Sequence, residues 1–438
     1  MIDAVIDAVI DVKLIPKTLT FLLLALPQVT AAFTPEDVWN AWPEERFIKT
    51  AAPCLRPAEL NEALVELADK HDAIELREIG RSYEDRPIHM FSLGRGDKKI
   101  LLWSQMHGDE PSATPALFDI ADFLLLREED PDVRAILDNF TLLMIPMLNP
   151  DGSERYERRN AQGIDINRDA LHLATPEGRL LKKIRGEHAP FLGFNLHDQN
   201  RRTRAGDSDQ LATMAVLAVA GDPEGTVTPG RLRAKRACTA IVEAVAPFNP
   251  GGMARYDEDW NPRAFGDNMT AWGTPTVLIE SGGLPPGMPF TDLTRLNAVA
   301  ILTVLRDMAR DDLAAYDPEV YDNLHRNRSR AWVDVIFRGG SIRPLNGGET
   351  YRADLAFNLY EDELALAGCR PAEATSSQVI DIGDLHHLRA SREIDLQGKT
   401  LAALRTSPLL PGRPATFVIM DEEMRVEAIW VNGTPIKF

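Results

Sequence analysis

Short apolar segments alternate with helical patterns along most of this chain, and this alternation constrains its fold more than any other feature. The runs with the length of buried strands are Ile88–Leu93, Lys99–Met106, Thr141–Leu148, Phe191–Leu196 and Thr276–Ile279. Apolar residues at helical spacing occur at Pro115–Arg127, Pro176–His188, Leu232–Val245 and Asp292–Arg310. Such alternation predicts an α/β fold: a mixed, mostly parallel central sheet with helices on both faces.

The pattern changes after roughly Asp322, where no long helix is evident. Strand-like segments separated by turn residues follow at Trp332–Phe337, Thr350–Leu359, Gln378–Ile382, Thr416–Met420 and Val426–Val431. We therefore expect an α/β domain over residues 33–322 and a smaller β-rich C-terminal domain over residues 323–438.

Residues 1–32 have features of an export signal. The apolar run Leu19–Leu26 follows two lysines, and Val29–Ala31 has the small-x-small pattern of a cleavage site. Asp3, Asp7 and Asp11 oppose this interpretation because that region of a signal peptide is normally basic. We favour a periplasmic or secreted location over a cytoplasmic one. The alternative is an apolar N-terminal helix packed on the domain.

Composition excludes some function classes. The chain has 438 residues and a formal net charge of −18, which argues against general nucleic-acid binding because phosphate contacts need a basic surface. Cys54, Cys238 and Cys369 lie far apart and form no Cys-x-x-Cys pair, so neither a disulfide framework nor a thiolate metal site is implied.

Candidate metal ligands follow the predicted strands. His107, His197 and Glu280 each directly follow a predicted strand, and Glu110 comes three residues after His107. Functional groups gather at the carboxyl ends of strands in open α/β sheets. Two imidazoles and one carboxylate form a known zinc ligand set that leaves a position open for water. A lone His-x-x-Glu or a lone histidine would be weak evidence, so this prediction depends on the combination.

Several segments in a fixed order resemble the signature segments of the zinc metallocarboxypeptidase family, the carboxypeptidase A-like metallopeptidases. They are Met106–Pro111, Ile145–Gly152, Arg158–Arg168 and Ile279–Gly283, preceded by Ile79–Arg86, in which Asp85 stands where the family usually has glycine. The resemblance extends over roughly residues 75–310 and implies a carboxypeptidase-like fold for that region.

The resemblance also implies a catalytic centre with one Zn²⁺ per chain. His107, Glu110 and His197 would hold the metal, and Glu280 would take a proton from the zinc-bound water and pass it to the leaving amine. Arg158 would polarise the scissile carbonyl and stabilise the oxyanion formed there.

Substrate-binding residues follow from the same resemblance. Asn167 and Arg168 would bind the free C-terminal carboxylate of a peptide, and Tyr256 would cap the bound substrate. Tyr256 lies 24 residues before Glu280, somewhat further than the family's usual spacing. Arg159 adjoins Arg158, so these two arginines could exchange roles.

Substrate preference stays open at this point. Arg263 could favour an acidic C-terminal side chain, although a structural ion pair is the more ordinary interpretation. The expected function is hydrolysis of a C-terminal peptide bond, with a peptide as the partner, no nucleic acid and no stable membrane span. One alternative is a zinc-dependent amidase or deacylase of N-acyl amino acids. The other is a catalytically inactive peptide-binding protein.

Overall fold

The computed structural model describes residues 32–41, 46–48, 55–256, 259–285, 287–345, 348–360, 376–405 and 407–436. The predicted signal segment lies almost wholly outside these residues, as do Cys54 and Cys369. Cys238 is a buried free thiol.

Helices occupy α1 (Pro35–Asn40), α2 (Pro57–Lys70), α3 (Thr114–Leu126), α4 (Pro131–Asn139), α5 (Pro150–Arg155), α6 (Pro176–His188), α7 (Pro229–Val245), α8 (Phe265–Ala271), α9 (Thr291–Ala309) and α10 (Pro318–Asp322), with short 3₁₀ turns at Ile166–Arg168 and Asp312–Ala315. The first nine described strands along the chain are β1 (Glu75–Arg81), β2 (Pro87–Leu93), β3 (Lys98–Trp103), β4 (Phe140–Ile145), β5 (Leu192–Asp198), β6 (Arg204–Ala205), β7 (Met214–Ala218), β8 (Met253–Arg255) and β9 (Thr276–Ser281). The later strands are β10 (Asn327–Arg328), β11 (Trp332–Arg338), β12 (Ser341–Arg343), β13 (Tyr351–Arg352), β14 (Asp354–Tyr360), β15 (Ser376–Gly383), β16 (Arg389–Asp395), β17 (Thr400–Ala403), β18 (Phe417–Met420), β19 (Val426–Val431) and β20 (Thr434–Ile436).

The central sheet has eight strands in the order β1-β2-β4-β3-β5-β9-β7-β8. Pairing is parallel between β4 and β3, β3 and β5, β5 and β9, and β7 and β8, and it is antiparallel at the other junctions. The prediction of an α/β fold with a mixed, mostly parallel sheet is therefore confirmed.

Both faces of the inner strands of this sheet are covered, which explains why those strands are apolar without alternation. Ile100 and Leu102 of β3 belong to a core shared with α3, α7 and α9. Leu101 and Trp103, which point the opposite way, belong to a second core shared with α6 and α8. Each apolar run is consequently buried on two sides.

A capping box begins α1. The Thr34 hydroxyl accepts from the Asp37 backbone N–H at 3.2 Å, and the Asp37 carboxylate accepts from the Thr34 backbone N–H at 2.8 Å. Proline at the first helical position suits the helix start because its missing N–H would have no partner there.

The C-terminal region contains a four-stranded sheet in the order β15-β14-β11-β16 and a six-stranded sheet in the order β13-β12-β17-β18-β19-β20. Their shared core is aromatic: the Phe337 ring meets Phe417 and Trp430 edge-on, with centroids 5.3 and 5.1 Å apart. The β-rich character expected after residue 322 is thus present, whereas the domain limits themselves stay a prediction.

The C-terminal region contacts the central sheet's loops directly. Strand β10 pairs with β6, and Arg202 forms an ion pair with Asp334 of β11 at 2.7 Å. Within the described residues, no helix combines the length and apolar character needed to cross a membrane.

Candidate metal centre

Neighbouring strands bring the predicted site residues to one edge of the central sheet. In the parallel pair β5–β9, His197 is the register partner of Glu280. Strand β3 lies on the other side of β5 and ends at Trp103, so the loop that follows it carries His107 and Glu110 to the same edge. Candidate residues that are far apart in the sequence are therefore neighbours at this edge of the sheet.

The loop carrying His107 and Glu110 packs tightly on the turn that starts α5. A Cβ atom at Gly108 would lie 2.0 Å from the Gly152 carbonyl carbon, so only glycine allows this approach. Asn149 supports both segments, because its Oδ1 accepts from the Gly152 N–H at 2.9 Å and its Nδ2 donates to the Met106 carbonyl at 3.3 Å. Two of the signature segments therefore form one structural unit.

The departure at Asp85 has a structural explanation. Asp85 has a φ of 63°, the left-handed backbone conformation that favours glycine and that aspartate tolerates better than most residues. The turn containing it positions Ser82 and Arg86, whose side chains both donate to Asp151 Oδ1 at 2.7 Å. Asp151 belongs to the Asn149–Gly152 turn, so this segment supports the site indirectly.

His107, Glu110 and His197 converge as buried residues, with one potential ligand atom from each lying within 4.8 Å of the others. The Nδ1 atoms of the two histidines are 3.2 Å apart. Glu110 reaches both rings, with Oε1 2.8 Å from His107 Nδ1 and Oε2 2.7 Å from His197 Nδ1. Two imidazole nitrogens and a carboxylate facing one point form a donor set that fits zinc.

Asp165 links this group to Arg158. Its Oδ1 lies 3.1 Å from His107 Nε2, and its Oδ2 accepts from Arg158 Nε at 3.1 Å. A carboxylate on the far nitrogen of a metal-binding histidine fixes the ring's orientation and leaves Nδ1 for the metal. Arg158 Nη1 also donates to Glu110 Oε1 at 3.0 Å.

Desolvation and charge interactions compete in this cluster, and the outcome differs from group to group. Burial opposes ionisation of Glu110, but the two neighbouring imidazoles hold its pKa well below its usual range. Burial also opposes protonation of His107, yet Glu110 and Asp165 together raise its pKa. Burial and the adjacent Glu110 charge raise the pKa of Asp198 to about 8. Glu110 is therefore held as a carboxylate between the two imidazoles, which suits a cation ligand.

The remaining predicted residues line a cavity of about 320 Å³ that opens beside the three candidate metal ligands. Those lining it are Arg158, Asn167, Arg168, Tyr256 and Glu280. Glu280 is buried, whereas the Arg158 side chain is 43% exposed. All eight site residues named from the sequence thus surround one space.

The sequence left the roles of Arg158, Arg159 and Arg263 undecided, and the structure places these residues differently. Arg159 is exposed and donates to the Gly163 carbonyl at 3.0 Å, away from the cavity wall, so Arg158 is the arginine at the centre. Arg263 is exposed and does not line the cavity. Asp267, four residues further on, does line it and is buried.

Sequence reasoning missed several residues of the site. Asp165 could have been found as an acid within the arginine-rich segment, where a carboxylate needs a nearby cation. Asn195 could have been found as a polar residue inside the apolar run of β5. Asn327 and Ser329, which also line the cavity, gave no signal, because the pairing of β10 with β6 brings them there.

Comparison with known proteins gives the family of this region. Residues 60–217 match the family described as zinc carboxypeptidase. The chain contains a zinc carboxypeptidase domain. The matched residues include His107, Glu110, Asp165 and His197, and they end before Glu280.

Curated relatives with this similarity are carboxypeptidases. The chain is 30% identical over 132 residues to cytosolic carboxypeptidase-like protein 5 of Bos taurus, covering 30% of this chain and 14% of that protein. It is 27% identical over 103 residues to carboxypeptidase 2 of Trichophyton rubrum, covering 23% and 19% respectively. The chain thus matches less than a fifth of the length of either relative.

Solved structures that align with part of the chain include two bacterial proteins. A metallo-carboxypeptidase from Burkholderia cenocepacia aligns with a TM-score of 0.46 and 22% identity, covering 58% of this chain and 69% of that one. A metallo-carboxypeptidase from Pseudomonas aeruginosa aligns with a TM-score of 0.47 and 20% identity over the same shares.

Proposed function

We propose that this protein is a zinc-dependent carboxypeptidase that hydrolyses the C-terminal peptide bond of a peptide. The observation that supports this most strongly is the composition of one cavity wall. The metal-ligand group, the Glu280 carboxylate and the Arg168 guanidinium all line it. A metal centre, a proton acceptor and a carboxylate-binding cation are the three components that exopeptidase chemistry at a free C-terminus requires.

His107, Glu110 and His197 would hold the zinc ion, and Asp165 would keep the His107 ring in its binding orientation. When bound, zinc supplies Lewis acidity and a water nucleophile that is active near neutral pH. Glu280, beside His197 in the β5–β9 register, would accept a proton from the nucleophile and deliver it to the leaving amine.

Arg158 and Arg168 would have separate tasks. Arg158 is fixed by Asp165 and Glu110 and would donate to the oxyanion that develops at the scissile carbonyl. Arg168 would bind the terminal carboxylate with Asn167, whose Oδ1 is held by the Phe265 N–H at 2.9 Å. That bond points the Asn167 amide group away from Phe265 and leaves its N–H donors for the substrate. Tyr256 would cover the bound residue.

Two acceptor groups in the cavity wall support a preference for a basic C-terminal residue. Asp267 contributes a buried carboxylate, and Asn195 Oδ1 is buried with no hydrogen-bond partner among the residues that the structure describes. The rest of that wall includes the apolar Leu217, Val219 and Leu278. A lysine or arginine side chain offers an apolar stem and a donor-rich head, which suits this combination.

The proposal is tested by hydrolysis assays on zinc-loaded protein. N-blocked dipeptides ending in lysine, alanine or glutamate would be compared with N-acyl amino acids that carry the same residues. We expect the dipeptides to be cleaved with the higher kcat/KM. Preferential cleavage of N-acyl amino acids would favour the amidase alternative. Peptide binding without turnover at saturating zinc would favour the inactive peptide-binding alternative.

A further inference from the structure

A second cavity lies at the opposite end of the central sheet from the metal centre. It has a volume of about 220 Å³, and its wall combines Lys98, Arg233 and Arg236 with the rings of Phe140 and Phe191. Lys98 and Phe140 begin β3 and β4, and Phe191 immediately precedes β5. The metal ligand on β5 stands at the carboxyl end of that strand, roughly 20 Å away for a strand of this length. The two cavities are therefore separate.

The three cations of this second cavity have no acidic partners among the described residues. In the part of the chain that the structure describes, Lys98, Arg233 and Arg236 form no ion pair, and Arg236 Nε is buried without a hydrogen-bond partner. Lys235, on the same helix α7 but facing elsewhere, is paired with Asp322 at 2.8 Å. Asp311, the acidic residue of the wall, is exposed and lies beyond ion-pair distance of the three cations.

The Arg233 side chain is held ready for a ligand. Its guanidinium carbon lies 3.7 Å from the centroid of the Phe191 ring, and its Nη1 donates to the Phe191 carbonyl at 3.3 Å. Lys98 Nζ lies 5.3 Å from the same ring centroid. The ring contact and the hydrogen bond restrict the Arg233 side chain while leaving other N–H groups to donate, so less side-chain entropy is lost when an anion binds.

Three cations without an ion pair lie together in this cavity, although the chain as a whole is acidic. It has 66 aspartate and glutamate residues against 48 lysine and arginine residues, so acidic partners are plentiful. Arg233 and Arg236 are half-buried, and partly buried charges without acidic partners cost free energy unless a ligand of opposite charge compensates them. Guanidinium groups suit that role because their planar N–H groups match the oxygens of phosphate and carboxylate.

We propose that this cavity binds a small organic dianion. A phosphate group, or a pair of carboxylates, would lie between Arg233, Arg236 and Lys98, and an apolar part would contact Phe140 and Phe191. The volume is below the range of about 300–1,000 Å³ that is usual for drug-sized ligands, so the occupant is a small molecule. The proposal is independent of the peptidase activity, because none of its residues lines the catalytic cavity.

The experiment is calorimetric titration of the full-length, zinc-loaded protein with phenyl phosphate, a dianion that carries an apolar ring. Phthalate, a dicarboxylate of similar size, distinguishes the two kinds of dianion. We expect the Arg236→Gln variant to bind about tenfold more weakly or worse, the loss that follows from removing a charge-assisted hydrogen bond. The matched control is Lys183→Gln, which removes an exposed charge from α6 and should leave the affinity unchanged.

Phosphates also bind metal centres, so the site of binding needs its own control. An Arg168→Gln variant alters the catalytic cavity alone and should retain binding to the second cavity. If Arg236→Gln fails to fold, Lys98→Gln replaces it, because Lys98 is exposed and its loss leaves no buried gap. The proposal is overturned if neither dianion binds, or if binding survives the second-cavity substitution and disappears in Arg168→Gln.

Discussion

Replacing Asp165 with asparagine tests whether the second carboxylate of the centre orients the metal ligands. Asp165 accepts from three donors: the His107 ring at 3.1 Å, Arg158 Nε at 3.1 Å and the Asn167 backbone N–H at 3.0 Å. Asparagine has the same shape but a single oxygen, so its NH₂ group must face His107 or Arg158. Loss of such a support typically weakens metal binding 10- to 100-fold, or about 1.4–2.7 kcal/mol.

The assay is competition for zinc against a chromophoric chelator, which reads metal affinity without depending on turnover. The matched control is Asp169→Asn, since Asp169 is also buried and accepts from the Thr175 hydroxyl and backbone N–H at 2.8 Å, away from the metal group. We expect zinc affinity to fall in Asp165→Asn and to stay unchanged in Asp169→Asn. Unchanged affinity in a folded Asp165→Asn variant would refute the orienting role.

Three further predictions follow from the structure. Glu280→Gln should retain zinc and lose roughly 10²- to 10⁴-fold in kcat, as removal of a general base does; single-turnover assays with metal analysis check this. Asp267→Asn should lower kcat/KM for C-terminal lysine while changing that for C-terminal alanine little, and equal losses on both substrates would count against Asp267 as the basis of preference. Phe337→Ala should destabilise the C-terminal sheets by about 3–5 kcal/mol in urea unfolding, because its ring is fully buried. Val431→Ala, at an exposed position, is the control and should change stability by less than about 0.5 kcal/mol.

Local patterns predicted the elements of the central sheet well. The run Phe191–Leu196 corresponds to β5 at Leu192–Asp198, and the helix expected at Pro176–His188 has those limits in the structure. These predictions succeeded because burial on both faces makes a strand continuously apolar, and because proline and a capping threonine mark a helix start.

Short or partly exposed elements were harder to recognise. Strand β1 (Glu75–Arg81) has mostly exposed residues, and β8 is three residues long, so neither has a distinctive apolar period. Local sequence patterns also did not predict the order of the strands in the sheet. Strand β4 separates β2 from β3, although β2 and β3 are consecutive along the chain and joined by a short turn.

The part of the site that sequence reasoning missed is the part that depends on packing between distant segments. A metal ligand is restricted to a few residue types, so His107, Glu110 and His197 could be proposed from their chemistry together with the family resemblance of the surrounding segments. A cavity wall accepts many residue types, and Asp267 and Asn327 became visible only after α8 and β10 were placed. Arg263 and Asp267 show the consequence for substrate preference. They are four residues apart, yet Arg263 faces solvent and Asp267 faces the cavity. The cavity wall therefore carries a negative charge at this point, whereas Arg263 would have supplied a positive one.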